Sequence, residues 1–521
     1  MPLYKTNLDA LNKAKPIELE LEINSFAGGE NTVGEDQALK TNEARRIENW
    51  DSDSLGGMIR SKGLKNVADG NPDYSDALDL LIQHIELTST RVYGIIAGDL
   101  VYKNGAVISQ ADAGAFTAGV LSHGVSKADK LWITNSTDNL KYKTLVGAIT
   151  IPASIPPYAC DRVYYHKSRL VAEGGRKTVY GCRAGTGYWL GADAWSATND
   201  AWSIDLPDNT KGCGIGFPSG DYITVFTKYR AYALSNFPSV AQTPILGSHG
   251  CSAPYSIAIG NEGLYMVSEY PDKGVWLWDS TQWINLTLNH DFKDEINFAN
   301  RIFGAYRNQR YYLLYNAINS GASYPNKLRI YDAKFGRWMS RPINVALSDS
   351  LGYPALLTYD NNELYFGSSQ KSKMYELEIE DNSDDGENTI ATYTTKNFSS
   401  RDFSLGTGGE FTIDDVRMKL IKLSIVFYGT VGSISIQWSA DNGRITGSQT
   451  IDLTASGDKL NTTFVVNVSK VTTVPPDKEV TVSFKNTAVG RRFQFHITHS
   501  GSSTRPKVKR IKIHAIALEE M

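Results

Sequence analysis

A chain of 521 residues, 41% apolar and 21% charged, has the length for about two to four domains with more than one buried core. That balance excludes wholesale disorder and a fibrous class. A formal net charge of -3 at pH 7 excludes a molecule-wide basic field of the kind that holds nucleic acid by counterion release, so any contact with DNA has to be local.

The 28 Tyr, 10 Trp and 18 Phe, beside 45 Gly, are the residues of sheet faces and tight turns, and the fold class they predict is all-β. Cys160, Cys182, Cys213 and Cys251 form no C-x-x-C pair and have no His at metal-ligand spacing, which predicts buried free thiols. The opening MPLYKTNLDALNKAKPIELELEI lacks an apolar signal core, and no run of about 18 apolar residues occurs. Synthesis in a cytoplasm without a membrane span is the expectation.

Residues 1–70 show little repetitive patterning. They contain the turn Phe26-Ala27-Gly28-Gly29-Glu30-Asn31 and the polar stretch Asn42 to Trp50, and read as an N-terminal arm or capping segment. From about 78 the runs LLIQHIEL, RVYGIIAG and LVYK, separated by turn residues, predict an antiparallel meander. A helix is the alternative for 76–85. Hairpin candidates then recur at uneven intervals, several opened by an aromatic pair such as Tyr164-Tyr165 or Tyr311-Tyr312.

The repeat is sharpest where a strand ends in Asp and a Trp starts the next segment. Trp276-Leu277-Trp278-Asp279 precedes Trp283, and Ile330-Tyr331-Asp332 precedes Gly336-Arg337-Trp338. Kelch-like propellers use this placement, with an Asp capping the turn and a Trp packing between blades. Asp279, Trp283, Asp332 and Trp338 are therefore read as turn and blade residues, and 71–380 as a β-propeller of about five to seven blades. A large β-sandwich is the alternative.

The acidic stretch Glu380 to Asn388 has no apolar residue, so 381–390 reads as an exposed linker. Beyond it, over 391–521, runs such as SISIQWSA and RFQFHITH alternate polar and apolar residues, as half-buried strands of a C-terminal β-sandwich do. The basic run Lys507 to Ile513 reads as edge-strand protection by lysines.

Signals for chemistry are sparse. Ser439-Ala440-Asp441-Asn442-Gly443-Arg444-Ile445-Thr446 is similar to the Asp-box of sialidase propellers, whose content is a turn: Asp441 accepting backbone N–H bonds and Gly443 at positive φ. No H-E-x-x-H, G-x-S-x-G or phosphate-cradling loop occurs. A glycosidase carboxylate pair comes from separate blades, and spacing neither supplies nor excludes one. No catalytic residue, metal ligand or cofactor is assigned, and the chain reads as a non-enzyme.

The order of elements at both ends resembles the tail hub or nozzle proteins of short-tailed bacteriophages, including the packaged-DNA stabilisation family. The resemblance is carried by Phe26, Gly28, Gly29 and Asn31, then Asn42, Glu43, Ala44 and Asn49, then Gly56, Gly57, Arg60 and Gly63. Near the C-terminus it continues in Ser439 to Arg444 and Gly490-Arg491-Arg492-Phe493-Gln494-Phe495. It implies a virion component made in the host cytoplasm: a ring of identical subunits, six by resemblance, below the portal and its adaptor and beside other tail proteins. The lumen would retain packaged viral DNA and pass it during ejection without reading its sequence. Phe26, Gly28, Gly29, Asn31 and Arg60 would then belong to an assembly arm. Two competing functions remain on the sequence alone, a host-adsorption propeller that stacks glycans on exposed Trp and Tyr, and a glycoside hydrolase.

Overall fold

The computed structural model describes residues 16–33, 39–52, 57–68, 78–85, 90–174, 176–196, 199–207, 210–216, 222–245, 247, 249–298, 301–318, 327–341, 356–358, 364–367, 373–379, 383–384, 387–406, 409–410, 413, 416–428, 433–452, 478–484, 488–500 and 506–518. Its contacts divide the chain into two compact units. One gathers 63–380 with 384–387, and the other gathers 1–62 with 381–383 and 388–521.

The first unit is a β-propeller, in which the described residues form seven sheets, mostly antiparallel, that follow one another along the chain. Their first strands are Leu78–Ile85, Ser122–Lys127, Arg162–His166, Ile215–Gly216, Ala258–Gly260, Phe303–Arg307 and Leu356–Thr358. Several of these first strands touch one another. Leu78–Ile85 touches Ser122–Lys127 on one side and Leu356–Thr358 on the other, and Phe303–Arg307 lies between Ala258–Gly260 and Leu356–Thr358. The last sheet is completed from the other end of the unit. Gly63–Ala68 pairs antiparallel with Met374–Ile379, Leu64 opposite Leu377 and Ala68 opposite Met374, so the first and last strands of the ring fasten each other. Residues 78–85 are strand, and the helical alternative falls.

Sheets stacked face to face bury both sides of their middle strands, which accounts for apolar runs without alternation. Gly263–Ser268 is buried from Leu264 onward and Gly274–Trp278 throughout. Tight hairpins join several strands. Ala128-Asp129, Lys167-Ser168 and Asn308-Gln309 all have positive φ at both residues and close two-residue loops between paired strands, as a type I′ turn requires.

The second unit is the β-sandwich, and it takes strands from both ends of the chain. One sheet runs Ser404–Leu405, Ile17–Ile23, Lys507–Ala517, Met418–Tyr428, Lys478–Ser483. The other contains Glu43–Glu48, Ile390–Thr395, Phe493–Ser500, Ser433–Ala440 and Ile445–Asp452 in that order. The alternation expected of half-buried strands is present: Phe493, Phe495 and Ile497 point inward while Gln494, His496 and Thr498 do not. Phe484 joins the two layers, its ring 5.9 Å from Trp438 and 6.4 Å from Phe495.

Three expectations are corrected here. The described residues of 1–70 do not form a free arm: Ile17–Ile23 pairs along its whole length with Lys507–Ala517, Ile17 opposite Ala517 and Ile23 opposite Ile511, because its buried Leu19, Leu21 and Ile23 supply an inward apolar row. Nor are the described residues of 381–390 all unpaired linker, since Ser383–Asp384 and Glu387–Asn388 are short strands of the last propeller sheet, Asp384 opposite Leu64. The basic run does not guard an edge either. Lys507–Ala517 is paired on both sides, and its cations face the acidic residues of the N-terminal strand: Lys512 Nζ lies 2.9 Å from Glu20, His514 Nδ1 3.0 Å from Glu20 and Arg510 3.5 Å from Glu22. The Lys512 hydrogen bond, working against partial burial, draws the Glu20 carboxyl below its usual range.

Candidate functional site

The Asp and Trp residues of the propeller repeat occupy the junctions between sheets. Asp279 follows the strand Gly274–Trp278, and its Oδ1 accepts from the Thr281 and Gln282 amides, each at 2.8 Å, and from Thr281 Oγ1 at 2.7 Å. Those bonds draw its carboxyl down to about 2. Trp283 opens the next strand and stands 5.0 Å from Trp278, with Phe226 of the preceding sheet at 6.4 Å and His249 at 5.6 Å.

Asp332 repeats the device in the sixth sheet. It is buried, accepts from the Phe335 amide at 3.3 Å and lies 3.8 Å from Arg310 Nε. Trp338 is fully buried, donates from Nε1 to the Leu286 carbonyl at 2.7 Å and packs edge-on against Phe292 at 4.9 Å. Leu286 and Phe292 lie in the segment leading out of the fifth sheet, so both tryptophans fasten one sheet to its predecessor. These four residues lie in the fifth and sixth sheets, with Trp283 and Trp338 in different core clusters.

The residues assigned to an assembly arm lie inside the sandwich unit. Phe26 is fully buried with its ring edge-on to Tyr393 at 5.4 Å. Gly28 is obligatory, since a Cβ there would stand 2.6 Å from the Asn42 carbonyl oxygen. Gly29, at φ +74°, begins a short parallel pairing with Glu43, and the Asn31 amide continues it to the Ala44 carbonyl at 2.8 Å. Arg60 is fully buried and donates to the Asn49 carbonyl at 3.3 Å and to both the carbonyl and the hydroxyl of Thr389. A buried guanidinium must spend its donors on internal acceptors, which is why this segment folds back and does not reach out.

Asp441 and Gly443 form a second structural knot. Gly443, at φ +86°, closes the hairpin between Ser433–Ala440 and Ile445–Asp452. The carboxylate of Asp441, expected to cap its own turn, bonds the neighbouring one: Oδ1 accepts from the amides of Arg491 at 2.8 Å and Arg492 at 3.1 Å. Gly490 makes room, since a Cβ there would fall 2.7 Å from that of Ala440. The two C-terminal segments that carry the phage resemblance therefore meet.

Sequence reasoning missed the charged interior of the propeller. Arg162 Nε lies 2.5 Å from Glu173 and its Nη2 donates to the Gly212 carbonyl at 3.3 Å. The His123 ring packs against Tyr164 at 4.9 Å, and burial, helped by the Arg162 charge, pushes it down to about 3. His290, also buried and near Arg329 and Lys293, is pushed down to about 3. These residues are scattered over the third, second and fifth blade regions, and no local spacing announces them. All four cysteines are free thiols. Burial pushes Cys160, Cys182 and Cys251 up to about 12 and Cys213 to about 11, which keeps them protonated and poorly nucleophilic. Among the described residues no group of three His, Cys, Asp or Glu could hold a metal, and no helix is long and apolar enough to cross a membrane.

A concavity of about 570 Å³ lies on the outer face of the sandwich, lined by Gln437, Ser439, Thr446, Ser448, Gln494 and His496. A second of about 600 Å³ is lined by Glu20, Glu22, Arg401, Asp402 and Glu410.

No family model matches the chain, and no curated protein matches it. Solved structures of similar fold include a streptogramin B lyase, 11% identical over 61% of this chain and 97% of that one with a TM-score of 0.43. The virginiamycin B lyase of Staphylococcus aureus is 13% identical over 61% and 99%, with a TM-score of 0.40. The WD40 β-propeller domain of Doa1 is 8% identical over 61% and 98%, with a TM-score of 0.38. This likeness is one of fold alone.

Proposed function

We propose that this chain is a structural subunit of a short-tailed bacteriophage particle, repeated around a ring at the head-to-tail connector or tail tube, six copies by resemblance. It is made in the host cytoplasm, meets the portal or its adaptor and other tail proteins, retains packaged DNA and lets it pass during ejection. It has no catalytic task and needs no cofactor.

One observation supports the reading above the rest. Most of the residues that carry the resemblance come from opposite ends of a 521-residue chain, yet among the described ones all but Gly63 fall in one unit: Phe26 on Tyr393, Arg60 on Thr389, and Asp441 on Arg491 and Arg492. Their pattern is thus the pattern of a scaffold, which is what a load-carrying ring subunit would have to keep. The formal charge of -3 suits a channel that DNA traverses, because a strongly basic lumen would retain it by counterion release.

The test mixes the purified full-length chain with portal–adaptor complexes and follows co-sedimentation and electron micrographs. Closed rings seated on the adaptor are expected. A chain that stays monomeric at high concentration and ignores the connector counts against the assignment, and the adsorption reading then takes first place.

A further inference from the structure

The outer face of the second sandwich sheet is an array of uncharged hydrogen-bonding side chains. Along Ser433–Ala440 the outward positions are Ser433, Ser435, Gln437 and Ser439, and along Phe493–Ser500 they are Gln494, His496, Thr498 and Ser500. Register places Thr394 beside His496, and Ser448 beside Gln437 with Thr446 beside Ser439. The long side chains Gln437, Gln494 and His496 stand over small Ser, Thr and Gly neighbours, and the difference in reach makes the 570 Å³ concavity. That volume lies within the usual range of small-ligand sites, about 300 to 1,000 Å³.

The polar groups in it are only partly used by the protein. Thr394 Oγ1 is 2.6 Å from His496 Nδ1, and Gln494 Nε2 donates to the Thr395 carbonyl at 3.0 Å. Among the described residues the amide of Gln437 and the hydroxyls of Ser439, Thr446 and Ser448 have no partner. A groove that presents free donors and acceptors together, rather than one kind, is matched by a ligand that carries both on the same atoms.

Charge narrows the class. The lining itself carries no Lys or Arg, and Arg46, on the strand Glu43–Glu48, is already paired with Glu48 at 2.7 Å. Burial, with Arg46 adding to it, holds the His496 imidazole below its ordinary range, so the ring is neutral at neutral pH. Phosphates and carboxylates find no cation among the lining residues, and an extended peptide finds no free backbone on a sheet face. Hydroxyl groups, each both donor and acceptor, fit the lining.

We propose that this face is a binding site for a neutral saccharide, held by the side chains of Gln437, Ser439, Ser448 and His496 through its hydroxyls. The aromatic residues of the sheet are turned inward, Trp438 onto Phe484, so recognition is by hydroxyl edges and not by ring stacking. The site lies in the sandwich and stands apart from the ring reading, which neither requires it nor falls with it.

The test titrates the full-length chain with neutral gluco- and galacto-oligosaccharides of three to six units, using heparin fragments of equal length as the anionic control, by saturation-transfer NMR and calorimetry. Binding of a neutral oligosaccharide is expected, with heparin ignored. The exposed pair Gln437→Ala and Ser448→Ala should weaken it at least about tenfold, the size of one or two lost neutral hydrogen bonds, while thermal unfolding stays unchanged. Three results overturn the proposal: no neutral sugar bound at millimolar concentration, binding unaffected by the double substitution, or a concentration-dependent dimer that the same substitution abolishes, which would make this face a contact between copies.

Discussion

Replacing Trp338 tests the idea that the aromatic residues of the repeat fasten sheets and do not display a ligand platform. The indole is fully buried and donates to the Leu286 carbonyl at 2.7 Å, with Phe292 and Tyr331 rings 4.9 and 5.2 Å away. Truncating a buried aromatic of this size to Ala costs about 3–5 kcal/mol, and the orphaned carbonyl adds about 1–3 kcal/mol. Partial collapse of the site makes the two less than additive, so Trp338→Ala should lose about 4–6 kcal/mol. Trp338→Phe keeps most of the packing and loses the hydrogen bond, for about 1–3 kcal/mol. Trp283, half-buried, has an Nε1 with no partner among the described residues; its removal relieves an unsatisfied donor and should cost less than that of Trp338. Urea unfolding followed by far-UV circular dichroism gives the three midpoints and slopes. A loss below about 1 kcal/mol for Trp338→Ala, or equal losses for Ala and Phe, would refute the packing argument.

Acid should weaken the propeller through His123 and His290, whose ordinary value of 6.5 is pushed to about 3 in the fold. Above pH 7 both states carry neutral rings and nothing changes; as pH falls through 6.5 only the unfolded chain takes up the protons, so stability drops until about pH 3, by about 2 kcal/mol per histidine at pH 5. The wild type should therefore lose stability relative to a His123→Gln, His290→Gln variant across that window, and a pH-independent difference would contradict it. Asp441→Ala should cost about 1–3 kcal/mol by freeing two amides, and hydrogen exchange at Arg491 and Arg492 should accelerate; unchanged protection there would remove Asp441 from the cap. Gly28→Ala drives a methyl group against the Asn42 carbonyl and should lower the stability measured by urea unfolding by about 1–3 kcal/mol, whereas tolerance of that methyl would mean the turn is not held as described.

The local devices of this fold are legible in sequence, and the long-range ones are not. Asp279 with Trp283, and Asp332 with Trp338, announce themselves because cap, turn and packing residue lie within a few positions. Ile17–Ile23 alternates visibly, but its partner strand Lys507–Ala517 lies at the far end of the chain; alternation tells that a strand is half-buried and says nothing of what covers it. The same gap made lysines paired with Glu20 and Glu22 look like edge guards. Gly63–Ala68 reads as the end of an arm until the last sheet claims it. The turns at Ala128-Asp129 and Lys167-Ser168 use residues without the Asn-Gly signature, so strand pairing holds them at positive φ. Arg162 meets Glu173 across adjacent strands, and the polar face around Gln437 becomes a surface only when the hairpin of Ser433–Ala440 and Ile445–Asp452 lies beside the strands Phe493–Ser500 and Ile390–Thr395, distant from it in sequence.

The ring assignment is tested most directly by labelling intact phage particles that carry this chain with Fab fragments raised against it and imaging them by electron microscopy. The account predicts label confined to the junction of head and tail or to the tail tube, in one closed ring of density per particle. Label on fibres at the periphery, or none on the particle, would contradict it.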